Sequence, residues 1–182
     1  MRTLVLGGIR SGKSQWAEET ISQSVGPDEQ VCYLAAGTVV EDDPAWRERV
    51  DRHRCRRPAH WSTVETDDIA GYLLGESPQP TLIDDLGRWL TSVLDRSHGW
   101  DSVGVPAVAR EMIEDTTQAV ATFGSELVVV SPEVGLSVVA ATASGRRFAD
   151  ELGALNQQMA AVCDRVVLVV AGQALTIKEP AR

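Results

Sequence analysis

Several features that would place this chain in a familiar class are missing from its sequence. It has three cysteines, Cys32, Cys55 and Cys163, an odd number without a CxxC spacing, so neither a disulfide framework nor a zinc site is supported. No apolar run approaches the roughly 18 residues of a membrane helix. The N-terminus enters a strand and loop without the pattern of a signal peptide. We therefore expect reduced thiols, no membrane span and a cytoplasmic location.

Basic residues are too few to balance the acidic ones. The 182 residues carry 17 Lys and Arg against 26 Asp and Glu, a net charge of −9. A surface of that sign disfavours general binding to nucleic acid or anionic membranes, although a local basic cluster can still hold one nucleotide. The sequence also lacks internal repeats, low-complexity tracts and breaks in composition. We expect residues 1–182 to form a single domain.

Short apolar runs alternate with helix-like stretches along the chain. This alternation predicts an α/β fold, with helices on both faces of a mainly parallel sheet and an antiparallel edge strand at 174–178. The small-residue stretch 140–145 is expected to be a loop. The predicted buried strands are 3–6, 31–35, 81–83, 127–130 and 166–170, and the predicted helices cover about 13–24, 44–56, 87–96, 105–123 and 146–162.

Residues 7–14 read GGIRSGKS, which fits the phosphate-binding pattern GxxxxGK[ST]. The pattern is informative only when a strand precedes it and a helix follows, and both are predicted here. Its glycines allow the loop to wrap so that backbone N–H groups face phosphate oxygens. Lys13 would neutralise the terminal phosphates and the Ser14 hydroxyl would bind Mg²⁺. The fold expectation becomes a P-loop NTPase-like nucleotide-binding domain.

A carboxylate at the end of a buried strand would complete such a site. Asp84 directly follows the apolar run 81–83 and is the candidate Mg²⁺ ligand, with Asp85 in reserve. The alternative is that both residues only cap the helix that begins near Gly87. Asn156 is the only asparagine, so the NKxD stretch with which GTPase switches read guanine is absent. A compact enzyme that transfers a phosphoryl or nucleotidyl group to a small molecule is the remaining interpretation.

A histidine stands among arginines at residues 49–57, which read RVDRHRCRR. The imidazole of His53 is a good nucleophile towards phosphorus, and neighbouring positive charge favours its neutral, reactive form. The arginines would hold a triphosphate through bidentate contacts. On the residues alone, a solvated basic helix with an incidental histidine is the simpler interpretation. Glu65, after the strand-like run 61–64, would likewise be surface charge.

Taken together, these segments give the chain a family resemblance along essentially its whole length. It resembles the bifunctional adenosylcobinamide kinase/adenosylcobinamide-phosphate guanylyltransferases of cobalamin biosynthesis. A Walker loop is shared by many families, but the GGxRSGKS form together with RxxxHxxxRPxxW is far more specific. The matching segments are GGIRSGKS at 7–14, RVDRHRCRRPAHWSTVE at 49–65, IDDLGRWLTSVL at 83–94, EVGL at 133–136 and RRFADELGALNQQMAAVCDRVVLVVAG at 146–172.

The resemblance implies two reactions. The γ-phosphate of ATP or GTP passes to the hydroxyl of the aminopropanol arm of adenosylcobinamide. GTP then gives GMP, through a GMP-histidine intermediate, to adenosylcobinamide phosphate, and adenosylcobinamide-GDP forms. By position His53 is the nucleophile and Lys13 a second catalytic residue, while Ser14 and Asp84 hold Mg²⁺. The implied nucleotide-binding residues are Gly7, Gly8, Ile9, Arg10, Ser11, Gly12, Lys13, Ser14, Ala35, Ala36, Gly37, Arg54, Cys55, Arg56, Arg57, Glu65 and Asp84.

The resemblance also implies a homo-oligomer, a trimer, but the chain departs from the family pattern. The family usually has Cys and Thr where this chain has Asp85 and Gly87, and Asn where it has Pro132. It also differs across 139–144. Two alternatives therefore stay open: an enzyme with guanylyltransferase activity alone, and a nucleotide-binding regulatory protein without a small-molecule acceptor.

Overall fold

The computed structural model describes residues 1–37, 57–75, 78–102 and 104–180. The predicted helix at 44–56, with His53, Arg54, Cys55 and Arg56, lies outside the described residues. The strands are β1 (Arg2–Gly7), β2 (Cys32–Ala36), β3 (Ser62–Thr66), β4 (Thr81–Asp84), β5 (Leu127–Pro132), β6 (Arg165–Val170) and β7 (Gln173–Lys178). The helices are α1 (Lys13–Ser24), α2 (Ile69–Leu73), α3 (Leu86–Arg96), α4 (Ala107–Thr122) and α5 (Ala143–Val162).

The strands form one seven-stranded sheet in the order β3-β2-β4-β5-β1-β6-β7. All pairs among β1 to β6 are parallel, and β7 pairs antiparallel with β6. The predicted P-loop-like α/β fold and its antiparallel edge strand are thereby confirmed. Within the described ranges, no helix is both long enough and apolar enough to cross a membrane.

Neighbouring residues of each central strand enter different hydrophobic cores. Leu4 lies in a core with residues of α2, α3, α4 and α5, whereas Val5 lies in a second core with Ala17 and Ile21 of α1. This division follows from the period of two along a strand, because successive side chains point to opposite faces of the sheet. The prediction of helices on both faces is therefore confirmed.

The structure differs from the predicted elements at two places. The short helix α2 was not predicted, and it begins after Asp68, whose side chain accepts a hydrogen bond from the Gly71 backbone N–H at 2.9 Å. Helix α5 begins at Ala143, so the expected loop over 140–145 is wrong in its second half. Thr142 caps this helix, since its hydroxyl accepts from the Gly145 N–H at 3.1 Å.

The carboxyl ends of the parallel strands meet at one edge of the sheet. The phosphate-loop sequence follows β1, Gly37 follows β2, and Asp84 ends β4. Open α/β sheets place their ligands at this edge. The candidate residues that lie far apart in sequence are therefore brought together by the parallel order of the strands.

Candidate nucleotide-binding site

The loop between β1 and α1 is held by its glycines and by hydrogen bonds to neighbouring strands. A Cβ at Gly7 would lie 2.5 Å from the Ser11 Oγ and 2.7 Å from the Val169 carbonyl oxygen, so this position has no space for a side chain. Gly12 has a φ of 93°, the left-handed conformation that favours glycine. The Gly172 N–H donates to the Ser11 carbonyl at 2.8 Å. The loop is thus held by its close contacts with the turn after β6 as well as by its glycines.

Lys13 and Ser14 open helix α1 directly after this loop. The Lys13 side chain folds back over the loop, where its Nζ donates to the Gly8 carbonyl at 3.4 Å, and the residue is only 8% exposed. The backbone N–H of Lys13 lies 3.3 Å from the Ser11 Oγ. In contrast, Ile9 and Arg10 are exposed at the outer rim. The Lys13 ammonium group therefore lies against the loop that would carry a phosphate.

Asp84 is bound on both of its carboxylate oxygens. The Ser14 hydroxyl donates to Oδ1 at 3.4 Å, and the Tyr33 hydroxyl donates to Oδ2. Burial, followed by the charge of Asp84, raises the pKa of Tyr33 well above its ordinary range, so Tyr33 remains a protonated donor. Asp84 therefore joins the start of α1 to the interior of β2.

Asp85 has a different position, although it is the next residue. Its Oδ1 accepts from the Arg88 backbone N–H at 2.9 Å and caps helix α3. Burial and the neighbouring charge of Asp84 raise the pKa of Asp85. Of the two sequence interpretations, helix capping thus describes Asp85, whereas Asp84 faces the phosphate loop.

Ser14 and Asp84 are suitably arranged for a magnesium ion. Mg²⁺ binds oxygen ligands at about 2.1 Å in octahedral geometry, which sets adjacent ligands about 3 Å apart. The separation of 3.4 Å between the Ser14 Oγ and Asp84 Oδ1 is close to that spacing. The described part of the chain holds no group of three or more His, Cys, Asp or Glu that could enclose a metal. The donor set thus fits an ion whose remaining ligands are phosphate oxygens and water.

Arg57, the last arginine of the segment 49–57, contacts the tyrosine that donates to Asp84. Its guanidinium stacks on the Tyr33 ring, with the Arg57 Cζ 3.5 Å from the ring centroid. Its NH1 group also donates to the Thr63 Oγ1 on β3 at 3.2 Å. A guanidinium over an aromatic face is stabilised by about 1 kcal/mol. The end of the arginine segment is therefore anchored one side chain away from Asp84.

The end of β2 lies between the carboxylates of its two neighbouring strands. Ala35 is the register partner of Asp84 in β4 and of Glu65 in β3. Gly37 has a φ of 93°, and a Cβ there would lie 2.9 Å from the Arg88 carbonyl carbon. Ala36 is buried between them. The structure thus brings the predicted segment 35–37, Glu65 and Asp84 to one edge, with the start of α3 packed against Gly37.

Two residues at this edge were absent from the predicted site. Tyr33 lies within a predicted buried strand, and its only signal is that a buried tyrosine hydroxyl needs a hydrogen-bond partner. Arg88 follows the DD pair on α3, where burial lowers the pKa of its guanidinium and the charges of Asp85 and Asp84 oppose that shift. Neither the hydrogen bond of Tyr33 to Asp84 nor the charged surroundings of Arg88 could be predicted from local sequence, because each depends on which strands become neighbours.

Two of the departures from the family pattern touch each other. A Cβ at Gly87 would lie 2.8 Å from the Pro132 Cγ and 3.1 Å from its Cδ. The proline ring therefore occupies the space into which a side chain at position 87 would extend. The two positions belong to one packing unit at the ends of α3 and β5.

The loop, its following helix and the strand-end carboxylate define a P-loop nucleotide-binding α/β protein. Its family is given by a sequence model described as "Cobinamide kinase / cobinamide phosphate guanyltransferase", which matches residues 3–177. The chain belongs to this family, and it is accordingly an enzyme with kinase and guanylyltransferase function. The resemblance inferred from the sequence motifs is confirmed.

Curated relatives agree with this assignment over nearly their whole length. The bifunctional adenosylcobalamin biosynthesis protein CobP of Pseudomonas aeruginosa is 36% identical over 183 residues, which cover 98% of both chains. The bifunctional adenosylcobalamin biosynthesis protein CobU of Escherichia coli is 33% identical over 187 residues, 98% of this chain and 100% of the relative. The protein of the same name from Salmonella typhimurium has the same identity and coverage.

Proposed function

We propose that this chain, as a single nucleotide-binding domain over 1–182, phosphorylates adenosylcobinamide and then transfers GMP from GTP to the product. The observation that carries the proposal is the 3.4 Å approach of the Ser14 hydroxyl to Asp84 beside the loop GGIRSGKS. That arrangement suits a nucleoside triphosphate and Mg²⁺. Family membership supplies the corrinoid acceptor.

The kinase half of the proposal uses the loop and Lys13. The backbone N–H groups of residues 7–14 would surround the phosphates, and the Lys13 ammonium would turn from the Gly8 carbonyl towards the terminal phosphate. Ser14 and Asp84 would hold Mg²⁺, which when bound neutralises charge on the phosphate oxygens. The acceptor hydroxyl attacks the γ-phosphorus of ATP or GTP, the bond to the β-phosphate oxygen breaks, and the hydroxyl proton leaves to solvent.

The guanylyltransferase half uses His53. Its imidazole nitrogen attacks the α-phosphorus of GTP, pyrophosphate leaves, and the ring proton is released. A phosphate oxygen of adenosylcobinamide phosphate then attacks the same phosphorus, and the nitrogen–phosphorus bond breaks to regenerate histidine. Support comes from Arg57, which is anchored over Tyr33 beside Asp84, and from Glu65 at the same edge. Residues 54–57 and 35–37 would contact the nucleotide.

Labelling with GTP radioactive at the α-phosphate tests the histidine step. We expect an acid-labile GMP adduct on the wild-type chain and none on His53→Ala. The chain offers two matched controls, His60→Ala and His98→Ala, which should keep the adduct. Full labelling of His53→Ala, or its loss in a control variant instead, would remove His53 from the mechanism.

Transfer of γ-phosphate tests the kinase step separately. ATP or GTP labelled at the γ-position should phosphorylate adenosylcobinamide with the wild-type chain, and Lys13→Ala should reduce the rate by at least 100-fold, since the terminal phosphates lose their positive partner. A chain that forms the GMP adduct but transfers no γ-phosphate would be a guanylyltransferase alone. This alternative needs testing because Gly87 and Pro132, two of the departures from the family pattern, pack against each other at the start of α3. GTP binding with neither product would instead indicate a regulatory protein.

We also propose a homo-oligomer, a trimer, located in the cytoplasm where ATP and GTP are supplied. The exposed apolar side chains of edge strand β7, Leu175 at 64% and Ile177 at 59%, support association of copies. Analytical ultracentrifugation should give three times the mass of one 19.7 kDa chain. A monomer across micromolar concentrations would contradict this proposal.

A further inference from the structure

A groove outside the phosphate loop lies between α3 and the start of α5. Its volume is about 590 Å³, within the roughly 300–1,000 Å³ typical of small-molecule sites. None of its lining residues is among the nucleotide-binding residues proposed above. The groove is lined by Thr91, Trp100, Thr142, Ser144, Gly145 and Phe148.

The groove and the candidate nucleotide site are connected by helix α3, which contributes Thr91 to the groove and begins beside Asp84 and Asp85. The Thr91 hydroxyl donates to the Gly87 carbonyl at 3.0 Å, and a rise of 1.5 Å per residue sets these two residues about 6 Å apart along the axis. The helix begins at Leu86, directly after the cap Asp85 and the carboxylate Asp84. Thr91 is five residues, about 7.5 Å of helix, from Leu86, so a ligand in the groove would need an arm of about 10 Å along α3 to reach Asp84.

The walls combine apolar surface with hydroxyl groups. The aromatic side chains of Trp100 and Phe148 are half-buried, so each keeps an exposed surface in the groove, while Thr142 and Ser144 add hydroxyls. The segment that leads to the groove residue Thr142 exposes three aliphatic residues: Leu136 at 80%, Val138 at 93% and Val139 at 79%. Contiguous exposed apolar residues of this kind mark a binding surface more often than they mark an ordinary protein exterior.

The chain that follows these aliphatic residues is held against the first turn of α5. The Arg146 NH1 group donates to the carbonyl oxygens of Ala140 and Ala141 at 2.9 Å each. A Cβ at Gly145 would lie 2.9 Å from the Ala140 Cβ, so the segment packs closely on the first turn of the helix. Ala140, the residue after Val139, therefore lies against the groove residue Gly145.

We propose that this groove binds the corrin ring of the acceptor and directs its hydroxyl arm along α3 towards Asp84. The proposal rests on the proposed function, which supplies the acceptor. A corrin ring is a broad apolar macrocycle edged with amide side chains. Trp100, Phe148 and Val139 would contact the ring, and the Thr142 and Ser144 hydroxyls would bond its amides. Because both transfers act on the arm, the same ring contacts serve the alcohol and its phosphate.

A binding assay with dicyanocobinamide tests this assignment without turnover. Equilibrium dialysis separates free from bound ligand, and the visible absorbance of dicyanocobinamide measures each. Ser144 is exposed on the first turn of α5, so Ser144→Trp fills the groove without disturbing the core. We expect its Kd for dicyanocobinamide to rise at least tenfold, and that of Val139→Ser to rise about threefold. The matched control is Gln157→Trp at another exposed position of α5, which should bind as the wild type does. GTP binding should be unchanged in all three variants.

The outcomes separate this proposal from the proposed function. If Ser144→Trp binds dicyanocobinamide with the wild-type Kd, or if Gln157→Trp loses binding equally, the groove is not the corrin site and the proposed function is unaffected. If the wild-type chain, with or without GTP, binds no dicyanocobinamide at all, the corrinoid acceptor itself is wrong.

Discussion

The contact between Gly87 and Pro132 predicts that Gly87→Ala destabilises the wild-type protein but stabilises a variant in which Pro132 is replaced by alanine. A Cβ at Gly87 would lie 2.8 Å from the Pro132 Cγ, a distance that requires one of the two to move. The proline ring cannot rotate away, and the Pro132 carbonyl is held by the Asn156 Nδ2 at 3.0 Å. We therefore expect Gly87→Ala to destabilise the protein, although alanine is the better helix former.

The magnitude follows from two opposing effects. Inserting a methyl group into a packed contact costs about 1–3 kcal/mol, and replacing glycine by alanine within a helix recovers about 0.5–1 kcal/mol. Gly87→Ala should then lower the free energy of unfolding by about 1 kcal/mol. In a Pro132→Ala background the ring atoms are gone and only the Asp85 Oδ1, at 3.2 Å, remains close to the added Cβ, so the same change should raise that free energy by about 0.5 kcal/mol. The coupling energy between the two positions is about 1.5 kcal/mol, a size typical of residues in contact.

This double-mutant cycle compares the wild type, Gly87→Ala, Pro132→Ala and the double variant. Urea unfolding followed by circular dichroism measures the free energy of unfolding of each. Gly153 provides the matched control, because it lies within α5 and a Cβ there would meet nothing within 4 Å. Gly153→Ala should stabilise the protein in both backgrounds. A stabilising effect of Gly87→Ala in the wild-type background, or an equal effect in both backgrounds, would refute the packing argument.

Three further predictions concern other groups. Tyr33→Phe should lower the free energy of unfolding by about 1.5 kcal/mol in urea, because hydrogen bonds to charged groups such as Asp84 contribute about 1.5–3 kcal/mol. Arg2 lowers the pKa of Asp164 to about 2. This ion pair therefore stabilises the fold fully above about pH 4, and its contribution is lost as the pH falls towards 2. Asp164→Asn should lower the free energy of unfolding in urea by about 1 kcal/mol at pH 7, a modest value because solvent screens a partly exposed pair. Burial raises the pKa of the Cys163 thiol to about 12, so it should resist iodoacetamide at pH 8 in a mass-spectrometric assay.

Each of these predictions has a comparison that can contradict it. The hydroxyl of the chain's other tyrosine, Tyr72, lies 3.4 Å from the neutral Gln79 Nε2, so Tyr72→Phe should cost less than Tyr33→Phe, and an equal cost would argue against the carboxylate bond. A difference between wild type and Asp164→Asn that persists unchanged at pH 2 would exclude the ion pair as its source. Labelling of Cys163 as fast in the folded chain as in guanidinium would show that the thiol is not protected.

The phosphate loop could be predicted from sequence because its determinants are local. A strand, three glycines and the start of a helix lie within residues 2–14, and the structure places β1 and α1 at those positions. Asp84 was predictable for the same reason, since a polar residue directly after an apolar run marks the end of a buried strand. Its position beside Ser14 follows once the strands are parallel.

The contacts of Tyr33 could not be predicted, because they depend on the register between strands distant in sequence. Tyr33 and Asp84 are 51 residues apart, and they meet only because β2 and β4 pair with Ala35 opposite Asp84. Helix α2 was missed for another reason, since five residues are too few to show a helical period. The start of α5 was missed because its first residues, Ala143 and Ser144, are as small as those of a loop.

The arrangement around Asp84 bears on how one site would perform two transfers. One carboxylate oxygen accepts from Ser14 at the start of α1 and the other from Tyr33, whose ring carries the Arg57 guanidinium. Asp84 therefore contacts the start of α1 directly, and Arg57 is linked to the same carboxylate through Tyr33. Two remote nucleotide positions would need no such shared residue. If the two proposed transfers share one triphosphate position, we expect its terminal phosphate near Lys13 and its α-phosphate towards Arg57.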